Sequence, residues 1–394
     1  MDFDHSIFLK NIAQTTGQPF MLEVAYAKGI YLYSPDGREY IDMISGIAVS
    51  NLGHRHPKVI EAIRNQLDRH LHVMVYGEFI QSSPNLLAKK LTSLLPENLN
   101  CAYFTNSGTE ANEGALKLAK RYTCRSEIIS FRGAYHGSTH GSLSVSGNEV
   151  KKYAYRPLLP DVRFLTFNNT AQLDQITART ACVIIEPVQG DAGVRIPDKE
   201  YLIALRKRCD QVGALLIFDE IQTGIGRTGK LYAFEHFGVT PDILTSAKAL
   251  GGGLPIGAFI SSYEIMQSLT HDPMLGHITT FGGNPVSCAS ALAILEVIEQ
   301  EQLLLQVEDR GELIEKLLDH PKIIEIRRIG LMFAIEFATE EEVYHIVQKC
   351  LERGVVCFWF LSCPTSFRIA PPINISVEEI KKACNIIKSA FDEL

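Results

Sequence analysis

No C-x-x-C pair occurs among the nine cysteines, which are odd in number and irregularly spaced. A disulfide framework or a thiolate zinc site is therefore not expected; the thiols read as reduced and mostly buried. Excess basic charge is lacking too. The 38 lysines and arginines are outnumbered by 45 acids, for a formal charge of −7. General nucleic-acid binding needs a net basic face, so that class is excluded. The longest basic run, Arg206-Lys207-Arg208, falls in a helical stretch and reads as a solvated face. No apolar run approaches the ~18 residues of a membrane span. The opening MDFDHSIFLKN lacks the basic and apolar regions of a secretory leader. A cytoplasmic protein that engages neither membrane nor nucleic acid is the expectation. Internal repeats, low-complexity tracts and flexible linkers are missing as well.

What is present is an ordinary globular composition, 46% hydrophobic and 21% charged over 394 residues. Chains of this length divide into two or three domains at roughly 150 residues each. Short apolar runs recur at 127–131, 162–167, 181–186, 214–219, 243–246 and 258–262. Most alternate with helical or loop segments, which predicts an α/β fold with a largely parallel sheet covered on both faces. Residues 58–70 predict a helix with Val59, Ile60, Ile63 and Leu67 on one face after Pro57. Residues 110–122 predict another, with Thr109 as N-cap and Ala111, Ala115, Leu118 and Ala119 facing inward. After Asn284-Pro285 two helical runs (286–300 and 302–319) precede strands near 323–328, 331–337 and 355–360. Helices near 340–353 and 376–392 complete a smaller α+β domain. The expected division is 1–50, joining that small domain through a turn at Pro35-Asp36-Gly37; 51–285, the large domain; and 286–394, the small one.

Four features carry chemistry. The run ALLIF ends at Asp219-Glu220, and open α/β sheets place ligands beyond the carboxyl ends of their strands. A carboxylate there needs a cation or donor, although a helix cap or structural ion pair would account for it equally. Lys248 follows the strand ILTS and precedes Gly251, Gly252 and Gly253. A lysine near apolar groups loses its proton more readily and becomes a nucleophile, where the plainer reading is a surface lysine before a loop. YFTNSGTEAN runs from strand into helix, so Gly108 and Thr109 sit where helical N–H groups favour an anion, or simply where a helix is capped. FRGAYHG offers Tyr135 or His136 to a flat ring, or to the core.

Two other patterns have weaker claims. Gly224-Ile225-Gly226-Arg227-Thr228-Gly229 matches G-x-G-x-x-G. EIQT separates it from the strand, no helix start follows, and Asp242 lies in a loop, which leaves a nicotinamide dehydrogenase as a distant alternative. Read as a P-loop, the stretch fails, because Leu231 stands where Ser or Thr must be. The pairs His54 with His56 and His136 with His140 have no supporting acid or cysteine, so packed or capping histidines are expected and no metal.

Taken together, the motifs GIAVSNLGHRHP, TNSGTEANEGALKLA, FRGAYHG, EPVQGDAG, LLIFDEIQTGIGRTG, SAKALGGGLPIGA, TTFGGNP and FRIAPP resemble the class III (ω-amine) aminotransferases, nearest the acetylornithine/ornithine branch. The resemblance spans about residues 26 to 374. It implies fold type I, similar to aspartate aminotransferase, with a mainly parallel seven-stranded sheet, and pyridoxal 5′-phosphate as cofactor. It implies that Lys248 is the Schiff-base lysine and Asp219 the partner of the pyridine nitrogen. Ser107, Gly108 and Thr109 would cradle the phosphate, Tyr135 would stack on the ring with His136 beside it, Gln222 would reach the ring hydroxyl, and Glu186 would line the site. Thr280 would reach the phosphate of a neighbouring subunit, which implies a homodimer. Arg368 matches a carboxylate-binding arginine whose usual Glu partner is here Asp191. Ser138 stands where ornithine-type members carry a second arginine, so the expected clamp for a distal carboxylate is missing. The implied activity is ping-pong transfer from a small ω-amino acid or diamine to a keto acid such as 2-oxoglutarate. An aminomutase or racemase of the same fold is the alternative.

Overall fold

The computed structural model describes residues 4–394, so the first three residues of the opening segment lie outside it. Among the described residues the central sheet has seven strands, in the order Cys101–Thr105, Gly257–Ser261, Ile243–Ser246, Leu215–Asp219, Thr180–Ile185, Glu127–Phe131, Val162–Leu165. The apolar runs form these strands because both faces are covered: 127–131, 180–185, 215–219 and 243–246 are buried at every position. Gly257–Ser261 runs antiparallel to both its neighbours, while the other pairings are parallel. Six strands thus direct their carboxyl ends to one edge of the sheet.

The helix Gly108–Thr123 crosses one face with Ala111, Ala115, Leu118 and Ala119 fully buried. Its N-cap is Ser107 and not Thr109: Ser107 Oγ accepts from Glu110 N at 3.3 Å, and Thr109 lies inside the first turn. The helix Pro57–Leu67 starts on its proline, but Leu67 is exposed and Gln66 takes the inner position. Gln66 can be buried because it donates to His70 O and accepts from Ser83 Oγ.

Two smaller sheets flank this unit. Tyr26–Lys28, Tyr31–Tyr33 and Glu39–Asp42 form a meander, joined in parallel by Val355–Val356. The bend at Pro35-Asp36 is closed by Gly37 N donating to Ser34 O at 3.0 Å. Glu325–Ile329, Met332–Glu336, Ser366–Ile369 and Phe358–Trp359 form the other sheet. The single strand expected at 355–360 is therefore two short ones in different sheets, with Cys357 between them. The run 302–319 likewise divides into a short 3-10 turn, Leu303–Gln306, and the helix Val307–Leu317.

The glycine run 224–229 does not lead from strand to helix; it is a series of turns. His54 pairs with Asp42 at 2.8 Å and His136 with Asp219 at 2.7 Å. No helix among the described residues is long and apolar enough to cross a membrane.

Candidate active site

The residues singled out in the sequence meet because each follows the carboxyl end of a different strand. Ser107, Gly108 and Thr109 follow Cys101–Thr105; Tyr135, His136 and Ser138 follow Glu127–Phe131; Glu186 and Asp191 follow Thr180–Ile185. Asp219 ends its own strand with Gln222 just beyond it, and Lys248 comes two residues after Ile243–Ser246. All of these, with Arg368 from Ser366–Ile369, line one cleft of about 830 Å³. Thr280 does not: it is exposed, outside the cleft of its own chain.

Lys248 is half-buried and has no hydrogen-bond or ion-pair partner among the described residues. Burial holds its amine down to about 8, with the negative charge of Asp219 opposing the shift. Its backbone is left-handed at φ 44°, a sparsely occupied region for a side-chain-bearing residue. Ile47, which also lines the cleft, has φ 65° and shares that condition.

Asp219 is buried, both of its oxygens are held by hydrogen bonds, and Oδ1, with a single bond, keeps room for another donor. Oδ1 accepts from Ile221 N at 3.1 Å; Oδ2 accepts from Asn112 Nδ2 at 2.8 Å and meets His136 Nδ1 at 2.7 Å. Asn112 is itself fixed, accepting from Thr245 Oγ1 at 2.8 Å and donating to His136 O. Donors on a carboxylate favour its charged form. His136 thus serves Asp219 through its edge, while Tyr135, partly exposed to the cleft, is the aromatic free to lie against a ring.

Glu186 accepts from Tyr135 N and Gly190 N, each at 2.9 Å. Burial nonetheless pushes its carboxyl up to about 7; His136 opposes that rise and Asp219 adds to it. Opposite, the 16-residue helix Gly108–Thr123 points its N-terminus into the cleft. Free N–H groups and the helix dipole make this end a seat for an anion. Gly108 is needed there, because a Cβ would lie 2.8 Å from the Ile221 side chain.

Arg368 is buried, and burial lowers its pKa while Asp191 raises it. Its Nη2 donates to Asp191 Oδ1 at 3.2 Å. Ser138 lines the cleft 3.5 Å from the Tyr135 hydroxyl and brings no cation. Sequence reasoning missed Asn112, Lys151 and Ser362. Asn112 could have been noticed as a polar residue on the inner, alanine-rich face of its helix, where a buried amide implies a partner. Lys151 ends a short 3-10 turn and Ser362 sits in an irregular segment, and neither left such a signal.

The chain is similar to known proteins over most of its length. The family model described as aminotransferase class-III matches residues 12–391. The chain is 41% identical over 382 residues to an acetylornithine aminotransferase of Methanocaldococcus jannaschii, covering 93% of this chain and 92% of that one. It is also 41% identical over 381 residues to a putrescine aminotransferase of Pectobacterium atrosepticum, covering 92% and 80% respectively. The solved ornithine aminotransferase of Toxoplasma gondii, which carries pyridoxal phosphate at partial occupancy, superposes with a TM-score of 0.91. That match has 28% identity and covers 98% of this chain and 93% of the other.

Proposed function

The chain belongs to the class-III aminotransferases, and from that premise we propose that it moves an amino group from a small ω-amino acid or diamine to a keto acid such as 2-oxoglutarate, in two half-reactions. Enzymes of this class use pyridoxal 5′-phosphate, and the cleft fits that group. It offers an amine without a partner among the described residues, a carboxylate fixed in position by hydrogen bonds, and a helix N-terminus open to an anion. Lys248 would hold the cofactor covalently, Asp219 its ring nitrogen, Ser107, Gly108 and Thr109 its phosphate, and Tyr135 its ring face, with Gln222 and Glu186 at the sides. When bound, the cofactor supplies a carbonyl carbon for the incoming nitrogen and a ring that draws electrons from the carbon losing a proton.

The rest is done by the chain. Lys248 Nζ, once the incoming amine had displaced it, would be free to accept the proton from the substrate carbon that bears nitrogen and to deliver it on the cofactor side instead of back to that carbon. Asp219, fixed in place by Ile221 N, Asn112 Nδ2 and His136 Nδ1, would hold positive charge on the ring nitrogen set against it. Arg368 receives the carboxylate of the acceptor. The likeness to enzymes named for acetylornithine and putrescine supports a terminal amine as the reacting group. Ser138 brings no charge to a distal carboxylate, so either the preferred donor differs from acetylornithine or another cation replaces the missing clamp. Thr280, exposed and away from its own cleft, is proposed to reach the site of a second copy in a homodimer. The pairing of Glu39–Asp42 with Val355–Val356 supports counting residues 1–50 with the small domain, beside 51–285 and 286–394.

The observation that carries the reading is the combination of a desolvated Lys248, unpartnered among the described residues, and a hydrogen-bonded Asp219 with room on Oδ1, at the ends of adjacent strands. The test is a panel of ω-amino acids and diamines against 2-oxoglutarate and pyruvate. Turnover that needs both a donor and a keto acid, and that vanishes in Lys248→Ala, is expected. Single-substrate isomerisation would overturn transfer, and a strong preference for acetylornithine would overturn the first of the two alternatives at Ser138.

A further inference from the structure

Arg368 and Asp191 do not depend on each other equally. Asp191 Oδ1 accepts from Arg368 Nη2 at 3.2 Å and from Leu361 N at 3.3 Å. Its Oδ2 accepts from Ser362 Oγ at 2.7 Å, and Lys151 Nζ lies 3.6 Å from the carboxylate on that side. Three of these four partners remain if Arg368 turns away. Among the described residues the Arg368 side chain has only the 3.2 Å hydrogen bond; its Nε has no partner there, and its guanidinium lies 4.0 Å from the Phe360 ring centroid. The carboxylate is rich in donors and the arginine is poor in acceptors.

One short turn arranges this. Asn148 caps the 3-10 turn Glu149–Lys151, and its Nδ2 donates to Ser362 Oγ at 3.0 Å. The same turn places Lys151, whose buried ammonium has no hydrogen bond among the described residues and faces Asp191 as an ion pair. We infer that Lys151 and Ser362 hold Asp191 as a fixed counter-ion, so that Arg368 stays open to a substrate carboxylate without Asp191 having to move. Lys151 is a positioning residue, acting on the substrate through Asp191. Asp, one methylene shorter than Glu, has less reach and suits a fixed role. One resting geometry then serves both a keto acid, which uses Arg368, and an amine without a carboxylate, which does not. The inference rests on the proposal that Arg368 receives the acceptor carboxylate.

Removing the Lys151 charge leaves a buried carboxylate whose remaining cation is Arg368, so the internal pair tightens and competes with substrate. The holoenzyme is titrated calorimetrically with glutarate, an unreactive dicarboxylate, and KM is measured for 2-oxoglutarate and for a carboxylate-free amine donor. In Lys151→Met the glutarate Kd and the 2-oxoglutarate KM should each rise about tenfold, with the amine KM within about twofold of wild type. Lys151→Arg should restore both carboxylate values. Ser362→Ala should shift them in the same direction, and it carries the test if Lys151→Met does not fold. Wild-type glutarate affinity in Lys151→Met and Ser362→Ala overturns the inference. Arg368→Leu separates the two levels: if it leaves glutarate binding intact, the assignment of Arg368 fails; if it abolishes binding while the other variants do nothing, only the role of Lys151 fails.

Discussion

Lys248 combines a strained backbone, a lowered pKa and the absence of a partner, and each has a separate physical cause. The left-handed φ of 44° holds the residue between a strand and the glycines that follow it. Such strain costs on the order of 1–3 kcal/mol and persists only where the surroundings impose it. The pKa follows from burial, with Asp219 limiting the shift. A depressed amine pKa means that the proton leaves earlier as pH rises. The neutral nucleophile therefore dominates above about 8, where an unperturbed lysine needs about 10.4. Covalent capture of pyridoxal phosphate by the apoprotein, followed by absorbance, should speed up with pH and level off above about 8. A rate still climbing steeply near pH 10 would mark an ordinary lysine. If Asp219 is the ring-nitrogen partner proposed above, Asp219→Ala should lower kcat by about a thousandfold or more, through loss of the charge that would help the carbon lose its proton. Asn112→Leu removes one of its donors and should cost about tenfold. Near-normal turnover in Asp219→Ala would remove that residue from the site.

At the level of elements, the site is an edge property of the sheet joined to one helix end. The helix Gly108–Thr123 is capped by Ser107, whose hydroxyl also faces the cleft. Ser107→Ala therefore loses two things: a cap bond, about 1 kcal/mol of stability, and a donor to a bound anion. Pyridoxal phosphate should dissociate about tenfold faster from this variant, as charged hydrogen bonds are worth about 1.5–3 kcal/mol. Unchanged cofactor retention would place the phosphate elsewhere. The sequence revealed much at this scale because strands buried on both faces are continuous apolar runs, as in Leu215–Asp219 and Thr180–Ile185. It also revealed Asp219 and Lys248, whose chemistry shows against such runs. Strand direction was less legible. Gly257–Ser261 looks like its parallel neighbours residue by residue, and only the path of the chain turns it round. The cap was misread by two residues because Ser107 and Thr109 both offer hydroxyls, and the bond to Glu110 N decides between them. Lys151 was invisible because its meaning comes from Asp191, a partner supplied by folding and by no local pattern.

For the whole molecule, the decisive junction is the glycine run that resembled a nucleotide loop. Its Arg227 is fully buried. Nη1 donates to Leu331 O at 3.1 Å and to Pro371 O, and Nη2 donates to Asn51 Oδ1. Asn51 in turn donates from Nδ2 to Ile225 O at 2.7 Å and accepts at its own carbonyl from Ile373 N at 2.7 Å. One guanidinium thus ties an early segment, the loop after Asp219, and two places near the end of the chain. Gly330 adds to the junction, since a Cβ there would lie 2.6 Å from the Thr228 backbone. Arg227→Met fills similar space but leaves three buried acceptors short of a donor, and each such loss costs about 1–3 kcal/mol. A fall of roughly 3–5 kcal/mol in unfolding free energy is expected from urea titration. The strand Ser366–Ile369 presents Arg368 and leads directly into Pro371, so the damage should also reach the substrate. The KM for 2-oxoglutarate should rise in Arg227→Met, while the pH profile for capture at Lys248, which follows a separate strand of the central sheet, should stay as in wild type. A variant with the wild-type urea midpoint would mean that packing alone holds these segments together. A shifted Lys248 profile would mean that the junction reaches the central sheet as well as the C-terminal strands.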